Sequence, residues 1–241
     1  MTHDPIRRNR PSPPAEDELL PPNGILANFN GSRFKPARSA TARSRASGSV
    51  PVDRICDAAL KLFVQKGYRA TTIDEIARRG RLTKGAIYYY FKSKAELLGE
   101  ILNRIEVSYP RKKPVHGDPR EKFVSFLHVQ AKWAIERPND LFLLMLMSIE
   151  FKSTNNAIKL KIQKIYSEMS SAIAEIFEEG KAAGVFSSTL STSQLGSLYL
   201  AAHDGMMLEW YRAGRDTTKG MELVQAFRHV MLSTLEAPPQ R

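Results

Sequence analysis

From Val52 onward the apolar positions of the chain recur at helical spacing, and no stretch alternates as a half-buried strand would. Ile55, Ala59, Leu62 and Phe63 mark one face of a first helix, which Gly67 stops. Thr72 is placed to cap a short second helix carrying Ile73, Ile76 and Ala77. Thr83 caps a third, which runs towards Tyr89. Ser93 opens a longer one, with Glu96 three residues on to complete a capping box. Leu97, Leu98, Ile101, Leu102 and Ile105 form its apolar stripe, and Pro110 ends it.

The same periodicity continues through the rest of the chain. Asp118 and Pro119 read as an N-cap and first-turn pair for a helix bearing Phe123, Phe126, Leu127, Gln130 and Trp133, which stops before Pro138. Asn139 is expected to cap the very apolar segment from Leu141 to Phe151. A long stripe from Ile158 through Ile162, Ile165, Met169, Ile173, Ile176 and Phe177 ends at Gly184. Ser191 to Ala213 and Thr218 to Leu235 read as two final helices. The expected fold class is all-α.

Composition narrows the chemistry. The single cysteine, Cys56, excludes an internal disulfide framework or a cysteine-rich metal site, and its place in an apolar stripe reads as core. No apolar run approaches the roughly 20 residues of a membrane span, and the polar, proline-rich N-terminus has no signal-peptide character. A cytoplasmic location with no membrane partner is expected. Neither a metal-spaced His/Glu cluster nor a phosphate-binding glycine loop is present, so an enzyme is disfavoured and no cofactor or metal is expected. His203 and Asp204, adjacent on a helix, should point about 100° apart and not form an orienting pair by themselves.

The net charge of +11 favours an acidic partner, and its distribution says more than its total. Residues 1–49 read as a disordered arm. The basic last third of that arm (Arg33, Lys35, Arg38, Arg43, Arg45) fits either a solvated tail or a minor-groove or phosphate-tracking arm. Between Ile76 and Ala95 lie Arg78, Arg79, Arg81, Lys84, Lys92 and Lys94 with no acidic residue. A solvated helix face ordinarily mixes signs. This one does not.

These features meet in one constellation. A helix-turn-helix requires a packed scaffold helix, a tight turn, and a recognition helix whose N-terminus is short on acids and bulk, because that end approaches phosphates. Ile76 and Ala77 supply the packed helix, Arg81 and Leu82 the turn, and Thr83-Lys84-Gly85-Ala86 the recognition tip. Glycine inside a helix costs roughly 1 kcal/mol relative to alanine. Close approach to a groove gives Gly85 a reason.

The segment RICDAALKLFVQKGYRATTIDEIARRGRLTKGAIYYYFKSKAELL closely resembles the DNA-binding domain of the TetR family of bacterial regulators. The motifs that carry the likeness are A-x-x-L-F, K-G-Y-x-x-T-T, K-G-A-I-Y-x-Y-F and K-S-K-x-x-L. The resemblance implies that Thr72 and Thr83 donate to phosphates and that Lys84, Gly85 and Ala86 face base edges in the major groove. It places Tyr88, Tyr89 and Lys94 on backbone phosphates and Phe91 in the core. One departure stands out: Gly80-Arg81 replaces the usual Ala-Gly, and a left-handed Arg81 would cost about 1 kcal/mol.

The resemblance also implies a larger helical domain that encloses a small-molecule pocket and pairs with a second copy through the last two helices. The resulting organisation is a basic arm over 1–49, a helix-turn-helix domain over 50–95, and an effector-binding and dimerisation domain over 96–241. Candidate pocket residues are His128, Phe142, Met145, Met169, Tyr199, His203, Met206 and Trp210, with methionines suited to repacking around a hydrophobic effector. The implied function is a repressor holding double-stranded operator DNA as a homodimer and released by its effector. A sequence-blind, nucleoid-type DNA binder and a transcriptional activator are the alternatives.

Overall fold

Helix α1 (Ser49–Lys66) ends where Gly67 takes φ +82, a left-handed conformation that glycine adopts without strain. The computed structural model describes residues 49–110, 116–151 and 157–236. The basic arm expected over 1–49 therefore lies outside the described residues but for Ser49, as does most of the loop around Arg111.

Eight further helices follow among the described residues: α2 (Ile73–Gly80), α3 (Lys84–Tyr90), α4 (Lys94–Ser108), α5 (Pro119–Glu136), α6 (Pro138–Glu150), α7 (Ala157–Ala182), α8 (Thr192–Arg212) and α9 (Thr217–Glu236). No strand occurs among them. The caps at Thr72, Thr83, Asp118 and Ser191 form where local spacing places them, each side-chain oxygen accepting the backbone N–H three residues on. Such a cap stabilises a helix by about 1 kcal/mol relative to alanine.

Two expected starts differ. Ser93 caps α4, but the Glu96 carboxylate accepts the N–H of Lys92 at 2.7 Å rather than that of Ser93, so no reciprocal box closes. Helix α6 begins at Pro138 with Arg137 as an N-cap that lacks a side-chain bond. Asn139 falls inside the first turn, because proline already holds φ for a first helical position and needs no N–H there.

Helix α1 packs against α2, α4 and α6, while α4 also meets α7. Ile55, Phe63, Ile76, Ile87, Leu97 and Leu102 share one core with Leu143, Leu144 and Met147 of α6. A second cluster joins Phe123 and Phe126 of α5 to Ile173 and Phe177 of α7, Tyr199 of α8 and Phe227 of α9. Fully burying such a side chain stabilises by about 1.5–3 kcal/mol. The inner faces of α8 and α9 (Leu195, Tyr199 and Trp210; Phe227, Met231 and Leu235) are consumed within the chain, leaving Leu198 and Val230 exposed. No described helix is long and apolar enough to cross a membrane.

Candidate functional site

The short helices α2 and α3 present an exposed basic surface whose geometry is set by polar clasps. The Thr72 hydroxyl accepts the N–H of Glu75, and the Glu75 carboxylate accepts the N–H of Thr72 at 3.0 Å. The bond from Lys66 of α1, ahead of those from Thr72, pulls the Glu75 carboxyl down to about 2. Glu75 thus stays ionised at the positive end of α2.

Arg81 takes φ 53, ψ 47, so the left-handed turn that the Gly80-Arg81 order raised as a question is present on a non-glycine residue. The turn closes with Leu82 N donating to Ala77 O at 2.8 Å. A side chain from α1, not anticipated from sequence, supports it: the Arg54 guanidinium donates to Gly80 O at 2.6 Å and to Arg81 O at 3.2 Å. Two carbonyls at the negative end of α2 thereby receive a cation.

Helix α3 starts with the Thr83 hydroxyl accepting Ala86 N at 3.1 Å. Thr72, Thr83, Lys84 and Gly85 are exposed and Ala86 half-buried. A Cβ built on Gly85 would meet only Thr83 Oγ1, at 3.9 Å, an ordinary contact. The fold itself therefore does not require glycine there. Lys84 Nζ lies 3.0 Å from Asp74 of α2, which raises its pKa by that bond; both groups are exposed, so the pair adds little stability. The acid-free run beginning at Ile76 concealed this partner two residues upstream. Tyr89 is 82% exposed and Tyr88 47%, whereas Phe91 is buried at 6%. Of the aromatic run, two side chains therefore face outward.

Lys94 is placed differently from the other expected contacts. Its ammonium donates to Tyr68 O and Thr71 O at 2.7 Å and to Arg69 O at 3.3 Å, and lies 4.5 Å from the Tyr68 ring centre. Burial lowers its pKa, with Glu150 opposing. An ammonium has three donors, all engaged here within the protein. A phosphate contact by Lys94 competes with these bonds.

The expected pocket residues are distributed over α5 to α8. Phe142 stacks on Tyr211 with ring centres 3.7 Å apart, while Met145 and Met169 are buried in the first core cluster. Met206 and Trp210 line a narrow cavity of about 20 Å³ with Ala134, Gly220 and Val224, between α5, α8 and α9. Trp210 Nε1 donates to Asp216 O at 2.8 Å. His128 is partly exposed on α5, its pKa lowered by partial desolvation and then by the charge of Arg228. Tyr199 and His203 are buried neighbours with rings 6.1 Å apart. His203 Nδ1 lies 3.2 Å from Asp204 Oδ1, so the expected divergence of these adjacent side chains fails: both curl back to meet.

Residues 55–101 match the family model described as bacterial regulatory proteins, tetR family, and residues 95–228 match that of the YsiA-like protein, C-terminal region. The chain is 31% identical over 136 residues to the HTH-type transcriptional regulator QacR of Staphylococcus aureus, across 55% of this chain and 71% of that protein. Its fold is similar to the MbdR regulator from Azoarcus sp. CIB, with a TM-score of 0.69 and 36% identity over 77% of this chain and 98% of the other. The TetR family regulator PfmR from Thermus thermophilus follows at 0.63 and 25%, over 78% of this chain and 100% of its own. An α2–turn–α3 unit with an exposed basic tip, on an all-helical body matched along its length, makes this chain a member of the TetR family, a DNA-binding transcription regulator and not an enzyme.

Proposed function

We propose that the chain is a repressor that holds a palindromic operator as a homodimer and lets go when a small effector occupies its helical domain. Residues 50–95 form the reading head and 96–241 the effector and dimerisation domain. The tip of α3 carries the reading: Thr83, Lys84 and Gly85 are exposed, and the space over Gly85 is unfilled by the chain's own atoms. The absence of a side chain at Gly85, the second residue of α3, lets backbone N–H groups come close to phosphates and base edges.

In this reading Thr72, Thr83, Tyr88 and Tyr89 meet the phosphate backbone while Lys84, Gly85 and Ala86 face base edges. Lys94 acts one step back, holding the loop before α2. Dimerisation uses the outward faces of α8 and α9, where Leu198 and Val230 are exposed. Two-fold pairing of identical heads calls for a palindromic site.

The test is a footprint of the purified protein on DNA flanking its own gene, with random DNA as competitor and small apolar ligands added in turn. Protection of a palindrome that survives competition and is lifted by a ligand is the expected result. Protection that random DNA abolishes at equal mass would favour sequence-blind binding instead.

A further inference from the structure

A groove of about 630 Å³ opens between the reading head and the helical body, and no residue proposed above to meet DNA lines it. Small-molecule sites have volumes of about 300–1,000 Å³, so there is room for a ring-bearing guest.

Four segments build it. Tyr68, in the loop between α1 and α2, and Phe151, just past α6, supply an aromatic wall, their ring centres 5.2 Å apart. Ala95 and Gly99 line the groove from successive turns of α4 and add no bulk. Ile158 of α7 stands across from them, its Cδ1 lying 3.8 Å from where a Cβ on Gly99 would be. Tyr68 and Ala95 belong to the head, Phe151 and Ile158 to the body. A guest in the groove therefore touches both.

Three charged side chains also line the groove, and their partners differ. The Lys161 ammonium is matched by Glu106 at 2.9 Å, and the Glu100 carboxylate by Arg104 at 3.0 Å. Glu96 has no such match. Its Oε2 accepts the neutral backbone N–H of Lys92 at 2.7 Å, and no cation among the described residues pairs with it. A carboxylate offers about four lone-pair sites, so Oε1 has capacity for a donor. Lys94 sits over the Tyr68 ring, but its ammonium is turned to the carbonyls of Tyr68, Arg69 and Thr71, and it does not line the groove. The uncompensated charge facing this space is thus negative. A cation gains from it, whereas an anion meets Glu96 and Glu100.

We propose that the groove between head and body binds an organic monocation that carries an apolar ring. Its ammonium donates to Glu96, and its ring lies against Tyr68 and Phe151, over the small residues Ala95 and Gly99. This goes beyond the effector reading, which places its ligand within the helical domain, and its failure would leave that reading untouched.

Calorimetric titration of the full chain at neutral pH and low salt, with 2-naphthylmethylammonium, 2-naphthalenemethanol and 2-naphthoate, tests this. Because Glu96 is exposed, the ammonium should bind only about three- to fivefold more tightly than the alcohol, with naphthoate weakest. Added salt should narrow the gap. Glu96→Gln retains an oxygen for the Lys92 N–H; it should bring the ammonium down to the level of the alcohol and change the alcohol less than about twofold. Ala95→Phe, at an exposed position of α4, fills the groove and should weaken ammonium and alcohol at least about tenfold. Circular dichroism and urea midpoints on both variants confirm that they fold. The proposal is overturned if the alcohol or naphthoate binds as tightly as the ammonium, or if millimolar ammonium gives no binding. It is equally overturned if either variant leaves ammonium affinity unchanged.

Discussion

The carboxylate of Glu150, on the last turn of α6, accepts the backbone N–H of Arg69 at 3.2 Å, in the loop that leads into α2. It also takes the N–H of Tyr68 at 3.4 Å, and Lys94 of α4 grips the carbonyls of the same loop. Phe151 adds a ring contact to Tyr68 at 5.2 Å. The loop between α1 and α2 is thus held by an acid from the helical body below and a base from α4. Its position fixes where α2, and with it α3, stands.

Lys94→Ala should therefore act on the loop more than on phosphate. Losing one ammonium strands carbonyls that it satisfies, at a cost of about 1–3 kcal/mol in urea unfolding. Affinity should fall at all DNA sites, while the slope of log affinity against log salt stays unchanged. A slope reduced by about 1 would instead make Lys94 a phosphate contact.

Gly85→Ala separates fold from function. The added Cβ meets only Thr83 Oγ1 at 3.9 Å, so helix propensity should raise stability, by up to roughly 1 kcal/mol. Operator affinity, read by fluorescence anisotropy, should drop about tenfold, because a methyl group then stands between the helix start and the groove. An unchanged affinity would remove Gly85 from the interface.

The turn offers a stability test independent of DNA. Arg81→Gly should stabilise the chain by about 1 kcal/mol, since φ 53 is strained for a side chain and free for glycine. Arg54→Ala should destabilise by about 1–2 kcal/mol, leaving the Gly80 and Arg81 carbonyls without their cation. Chemical denaturation of both variants decides. A neutral Arg54→Ala would show that water replaces the guanidinium.

Acid should loosen the clasp between α4 and α7. Bonds from Lys164 and Lys161 bring the Glu106 carboxyl from 4.5 down to about 2. A carboxyl depressed in the folded state stabilises fully above about 4.5, and that contribution is lost as pH falls towards 2. The urea midpoint should decline through this window, and Glu106→Gln should flatten the decline. An identical pH profile in the variant would mean that the clasp contributes nothing.

What the chain's order of residues settled by itself is whatever physics acts over one or two helical turns. Thr72, Thr83 and Ser191 cap because a hydroxyl reaches an N–H three residues on wherever the helix lies. Apolar spacing likewise marked the inner faces, and the glycine-trimmed tip of α3 was readable as an exposed helix start. Packing alone decided the rest. Lys94 turns inward because α4 passes beneath a loop 23 to 26 residues earlier, and Glu150 reaches that loop across 81. Arg54 meets the turn, and Tyr68, Ala95, Phe151 and Ile158 line one groove, only once distant helices are docked. Phe142, Met145 and Met169 stand buried in the first core cluster for the same reason: side-chain type says what a residue tolerates around it, whereas tertiary contacts say what surrounds it.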